Sequence, residues 1–158
     1  MPNDNGSLII LDTKSVRTNA SKTLTFLNNT IPKLLSHTVN IVFLGEEHDN
    51  EIDKNVATGV LTNPPSIIPG ATRAILERGL AYPINGGMTV RQEAMDQGLN
   101  RQARSKKLAD MIIDAITNHG ITLIYIACGS NHGQEIYDSL QKRLTVNWGY
   151  IIKPASTD

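Results

Sequence analysis

Two apolar runs constrain this chain more than any other part of it. Val39-Asn40-Ile41-Val42-Phe43-Leu44 and Ile121-Thr122-Leu123-Ile124-Tyr125-Ile126-Ala127-Cys128 are about the length of a strand, rich in β-branched residues and free of charge. Near-continuous apolar runs belong to strands covered on both faces, which is the condition of a parallel sheet. Each run stops abruptly, the first in Gly45-Glu46-Glu47-His48-Asp49 and the second in Gly129-Ser130-Asn131-His132-Gly133. Open α/β sheets place their chemistry where strands end. Both endings therefore read as walls of an active site.

The segments around these runs alternate in period. Leu8 to Leu11 suits a short edge strand, and Leu24, Leu27, Ile31, Leu34 and Leu35 recur at helical spacing, with a kink expected at Pro32. Ile52, Val56 and Val60 are four apart and predict a short helix that Asn63-Pro64-Pro65 ends. Ala71 to Glu77 is a third strand, and it too finishes in a carboxylate. Residues 79–99 hold Gly79, Gly86, Gly87, Gly98 and Pro83 without a sustained period, the pattern of a glycine-rich lid or binding loop. From Arg101 to Asn118, Leu108, Met111, Ile112, Ala115 and Ile116 form one stripe of a helix that Gly120 should stop. A helix over 134–144 and a last strand over 147–153 follow. Strands alternating with helices predict one α/β domain over 8–153, with a mostly parallel sheet of four or five strands and helices on both faces. Residues 1–7 are expected to be disordered.

Composition narrows the function classes. A chain of 158 residues is the size of one domain. Its 15 Lys and Arg balance 15 Asp and Glu, which argues against a general nucleic-acid binder. Cys128 is the only cysteine, so no intrachain disulfide can form. No apolar run reaches the roughly 20 residues of a membrane span. The first residues lack the basic and apolar regions of a signal peptide, so the expected setting is cytoplasmic, with secretion or translocation as an effector the other option.

The chemistry-bearing residues gather at strand ends. Glu46 and His48, then Glu77, then Asn131 and His132 follow three strands that, if parallel, end on one edge. Glu46 and His48 are two apart and face the same way while the chain is extended. Histidines and carboxylates on one rim suit two chemistries. A divalent metal would sit between His48, His132, Glu46 and Glu77. Without a metal, a histidine oriented by a carboxylate is a general base for water. An arginine at a helix start would neutralise an oxyanion or bind a phosphate.

At these residues the chain resembles, in minimal form, the superfamily of erythromycin esterases, ChaN-type haem-binding proteins and TraB/Tiki proteins. The shared pattern is a strand ending in Gly-Glu-x-His, a later strand ending in Glu, an Arg opening a helix, and a final strand ending in Gly-x-x-His. Here it reads Gly45-Glu46-Glu47-His48, Glu77, Arg104 with Leu108-Ala109, and Gly129-Ser130-Asn131-His132, in that order. The resemblance implies an α/β fold with a polar rim used for esterase-like or peptidase-like hydrolysis in some members and for haem binding in others. On this basis the expected hydrolase-type site has His48 as general base, Glu46 and Glu77 orienting it or the water, and Arg104 and His132 on the anionic group. Arg101 and Asn131 would contact substrate. A metal-dependent version and a non-enzymatic haem-binding or protein-interaction module are the alternatives. With only Phe26, Phe43, Trp148 and 4 tyrosines, an aromatic haem wall is poorly supplied.

The chain departs from the pattern in two places. Ser105 follows the arginine where members often have Asp or Asn, and only residues 78–100 stand where members carry a large helical insertion. A small-molecule, peptide or macromolecular substrate is compatible with the rim, and the missing insertion favours one that is large or externally presented. The superfamily also includes toxin and effector domains, so a bacterial toxin-like setting follows by analogy. Bland roles compete at several positions. Glu77 has Arg73 and Arg78 as neighbours to pair with, Arg101 lies one turn before Arg104 and substitutes for it, and Asn131 suits a helix cap. Cys128 reads as a small core residue, and Tyr82 and Tyr125 as pocket liners.

Overall fold

The structure is a computed structural model that describes residues 5–12, 39–46, 51–94, 98–143 and 147–152. Its strands are β1 (Asn5–Asp12), β2 (Val39–Glu46), β3 (Thr72–Leu76), β4 (Thr89–Gln92), β5 (Leu123–Gly129) and β6 (Asn147–Ile152). The helices among the described residues are α1 (Glu51–Thr62), α2 (Arg101–His119) and α3 (Gly133–Arg143), with a 3-10 turn at Ser130–His132 leading into α3. One sheet runs in the order β4-β3-β5-β2-β1-β6. Every pairing in it is parallel. The expected α/β architecture is therefore present.

The two unbroken apolar runs are explained by a core on each face of the sheet. On one face Val56, Val60 and Leu61 of α1 pack over Val42, Leu44, Ala74, Leu76, Tyr125 and Ala127. On the other, Leu108, Ala109 and Ile112 of α2 and Ile136 and Leu140 of α3 cover Ile41, Phe43, Ile75, Ile124, Ile126 and Cys128. Residues of β2 and β5 thus alternate between two apolar layers rather than between core and water. Each fully buried side chain of this size contributes about 1.5–3 kcal/mol. Cys128 lies in the second layer, its thiol pushed well up by burial and by the charges of Glu77, Glu93 and Glu46, which makes it a poor nucleophile. Tyr125 is fully buried and donates its hydroxyl to the Ser66 carbonyl at 3.0 Å, so it packs the core and does not line a pocket.

Several boundaries differ from expectation. The sheet has six strands where four or five are expected. The addition is β4, which lies inside the presumed lid and pairs with β3. All four of its residues are exposed, so backbone pairing holds this edge strand without the apolar alternation that would mark it in sequence. At the other end β1 begins at Asn5, within the stretch expected to be disordered, because the β2 ladder still offers Val39 opposite Gly6. The kinked helix expected around Pro32 lies outside the described residues.

Strand register brings the site together. β5 lies between β2 and β3, with Glu46 opposite Gly129 and Leu76 opposite Ala127. The Glu77 amide donates to the Ala127 carbonyl at 2.9 Å, so β3's last residue stays tied to β5. The C-terminal ends of β2, β5 and β3 therefore lie side by side, and Gly45, Glu77 and Gly129 share one edge.

Candidate functional site

Glu77 is the centre of the polar network on this edge. It follows β3 directly and is only 3% exposed. One carboxylate oxygen, Oε1, accepts from the Gly129 amide at 2.6 Å. The other, Oε2, lies 2.5 Å from Arg104 Nη2 and 3.4 Å from His132 Nε2. Burial alone would raise the pKa of this carboxyl. The hydrogen bonds from His132, the Gly129 amide and Arg104 outweigh it and hold the group at about 2. An ionised carboxylate is thus fixed in place beneath the rim.

Arg104 reaches Glu77 from the first turn of α2. The helix start is set by Asn100, whose side chain accepts from the Ala103 amide at 2.9 Å. The guanidinium also holds Glu93, just past β4, with Nε and Nη2 at 3.3 Å and 3.1 Å from its two oxygens. Glu93 bonding pushes the Arg104 pKa up against the opposing effect of burial, and Glu77 adds to it. Glu93 in turn accepts from the Arg78 amide at 3.1 Å. One arginine therefore spans two buried carboxylates, an arrangement suited to its planar fork.

The next residue of α2 continues the network. Ser105 Oγ is 2.7 Å from His132 Nδ1 and 2.9 Å from Glu135 Oε1. His132 is 4% exposed and has both ring nitrogens engaged, one by Ser105 and one by Glu77. Arg101 lies on the surface and pairs with Glu135 at 3.1 Å. Asn131 is exposed in the 3-10 turn.

Glu46 closes β2 on the other side of β5 and is 2% exposed. The Tyr82 hydroxyl donates to it. Burial, then the hydrogen bond and charge of Glu46, then the charge of Asp53, push the Tyr82 pKa up, so the phenol stays protonated. Tyr82 borders a cleft of about 480 Å³ that Lys54, Arg78, Gly79, Leu80 and Ala81 also line. A second cleft of about 380 Å³ opens beside Ser105 and Glu135.

Of the residues expected at the site, the structure gathers Glu77, Arg104 and His132 in direct contact and sets Glu46 at the neighbouring strand end, against Tyr82. Arg101 and Asn131 stand at the periphery. His48 and Glu47 lie outside the described residues. Among the described residues no group of three or more His, Cys, Asp or Glu is placed to hold a metal. The four-residue metal set also needs His48, and Glu77, one of its other members, already has both oxygens engaged. Sequence reasoning missed Glu93, Glu135 and the part played by Ser105. The available signals were a carboxylate just past a four-residue strand and a hydroxyl directly after the arginine. No family model, curated protein or solved structure matches this chain.

Proposed function

We propose that this chain is a hydrolase whose acid–base site lies along the C-terminal ends of β2, β3 and β5. The observation that carries this reading is the ionised, buried Glu77 holding His132 at the edge where parallel α/β sheets place their chemistry. A sheet needs no such group for stability, since apolar residues of similar volume would serve as well or better. In this reading His48, two residues past Glu46, takes the proton of the attacking water. Glu46 and Glu77 supply the negative field that favours a protonated imidazole once the proton has moved. Arg104 and His132 act through Glu77 as its cationic and hydrogen-bonding partners, and the groups nearest substrate are His48 and the Tyr82–Glu46 pair.

Wild type and His48→Ala should be screened over ester, peptide, phosphoester and nucleotide substrates. At least one substrate should lose roughly 10²–10⁴-fold in rate, the range of a positioned general base, and turnover by wild type should survive complete chelation. If no substrate separates the two proteins, the hydrolase reading gives way to a binding module. Activity that disappears with the chelator would move His48 from general base to metal ligand.

A further inference from the structure

The open edge of the sheet carries features that the acid–base site does not use. β4 ends the strand order, so one of its sides has no neighbouring strand among the described residues. All four of its residues are exposed, and Val90, at 42%, is the one large apolar side chain exposed among the described residues. The Glu93 amide donates to the Leu76 carbonyl at 2.8 Å, which fixes the phase of the strand. Successive residues of a strand turn their amide and carbonyl to opposite sides. Thr89 and Arg91 therefore bond towards β3, and Val90 and Gln92 turn their backbone groups outward. Outward groups of this kind are a template for another strand.

The same edge is cationic on one face. Residues opposite one another in a ladder share a face, so Thr89 and Arg91 lie with Arg73 and Ile75 on the side covered by α2. Arg73 is 5% exposed, and its Nε donates to Thr89 Oγ1 at 3.1 Å. Burial pushes the Arg73 pKa down, the charge of Arg91 adds to that effect, and Asp114 opposes it. Asp114 is itself taken up by Asn118 at 2.7 Å and by His119 at 3.3 Å. Neither Arg73 nor Arg91 forms an ion pair with a described carboxylate. Two guanidiniums therefore repel each other beside the open edge, and an anion settling against them relieves both. On the opposite face Val90 stands next to Ala74 and the core under α1.

We infer that the free edge of β4 docks an extended segment of a partner protein, added as a strand, with carboxylates at alternate positions facing Arg91 and Arg73 and apolar side chains between them covering Val90. Backbone bonds to Val90 and Gln92 supply the hold, and the acidic–apolar alternation supplies the choice of partner. A second copy of this chain is the poorer occupant, since edge-to-edge pairing brings one Arg91 towards the other. β4 runs into Glu93, which holds Arg104, so the docked segment extends towards the polar network. Docking here is independent of the hydrolase reading.

The test titrates a blocked peptide of alternating glutamate and valine, long enough to span β4, into the whole chain at low ionic strength, followed by backbone amide NMR and hydrogen exchange. The Val90 and Gln92 amides should shift and exchange more slowly at saturation, while the Arg91 amide, already turned to β3, changes less. The same peptide with lysine in place of glutamate should bind about tenfold more weakly. Arg91→Glu should weaken binding of the glutamate peptide by a similar factor, as like charges come to face each other. Added salt should weaken it as well. Arg91 is exposed, so its replacement leaves the core intact. If Arg91→Glu nevertheless does not fold, Arg91→Gln decides, with an expected loss of several-fold. Equal binding of the two peptides, or Val90 and Gln92 amides that do not respond, overturns the docking site. Movement of those amides with protein concentration in the absence of peptide would also overturn it, because the occupant would then be a second copy.

Discussion

Glu77 ties stability to pH. Its folded pKa of about 2 lies below the ordinary 4.5, so its contribution is fully present above pH 4.5 and is lost as pH falls toward 2. In Glu77→Gln the midpoint of urea unfolding should drop at neutral pH by the equivalent of about 3 kcal/mol, and the acid-side decline between pH 4.5 and 2 should become shallower. An unchanged acid profile would mean that Glu77 is not the ionised hub. Glu77 and His132 were legible in the sequence because each follows a strand of one sheet, whereas Arg104 was singled out from Arg101 only by the resemblance. Their partners were not. The cation on Glu77 comes from 27 residues away, while the nearby Arg73 donates to Thr89 at 3.1 Å. Ser105, the residue directly after Arg104, holds the His132 ring. Nothing in a linear sequence shows that the residue after an arginine will face a histidine on another helix.

At the scale of elements, α2 was legible to within a residue because its stripe and its stop agree. Gly120 sits at φ 66, and its amide donates to the Ala115 carbonyl. By contrast β4 was invisible, since four exposed residues carry no period. The start of α3 shows a constraint that pattern does not reveal. A Cβ placed on Gly133 would meet Phe43 Cε2 at 3.0 Å, so any larger residue here makes the buried Phe43 ring give by a few tenths of an ångström. Gly133→Ala should therefore lower thermal stability by about 1–3 kcal/mol, the usual range for overpacking, despite the better helix propensity of alanine. A second change, Phe43→Leu, should recover part of the loss. A Gly133→Ala protein that melts above wild type would show that the ring yields freely.

For the whole molecule, alternation and the buried character of the runs specified a parallel α/β sheet, and no described helix is long and apolar enough to cross a membrane. Strand order was beyond reach, because any of several orders satisfies the same sequence of elements. The observed order puts β5, a late strand in the sequence, between β2 and β3. That placement has a consequence for synthesis. While the ribosome is still adding residues before 121, β2 lacks the neighbour on its β3 side, β3 lacks the one on its β2 side, and α2 lacks much of the surface it later covers. Contacts of long sequence separation close last and slowly. A released chain ending at residue 120 should be digested by a non-specific protease under conditions that spare the full chain. Extension through 143 should confer most of the resistance in one step, since β5 and α3 arrive together. Until then the nascent protein exposes the facing edges of β2 and β3 unpaired, the state in which a chaperone would be needed most.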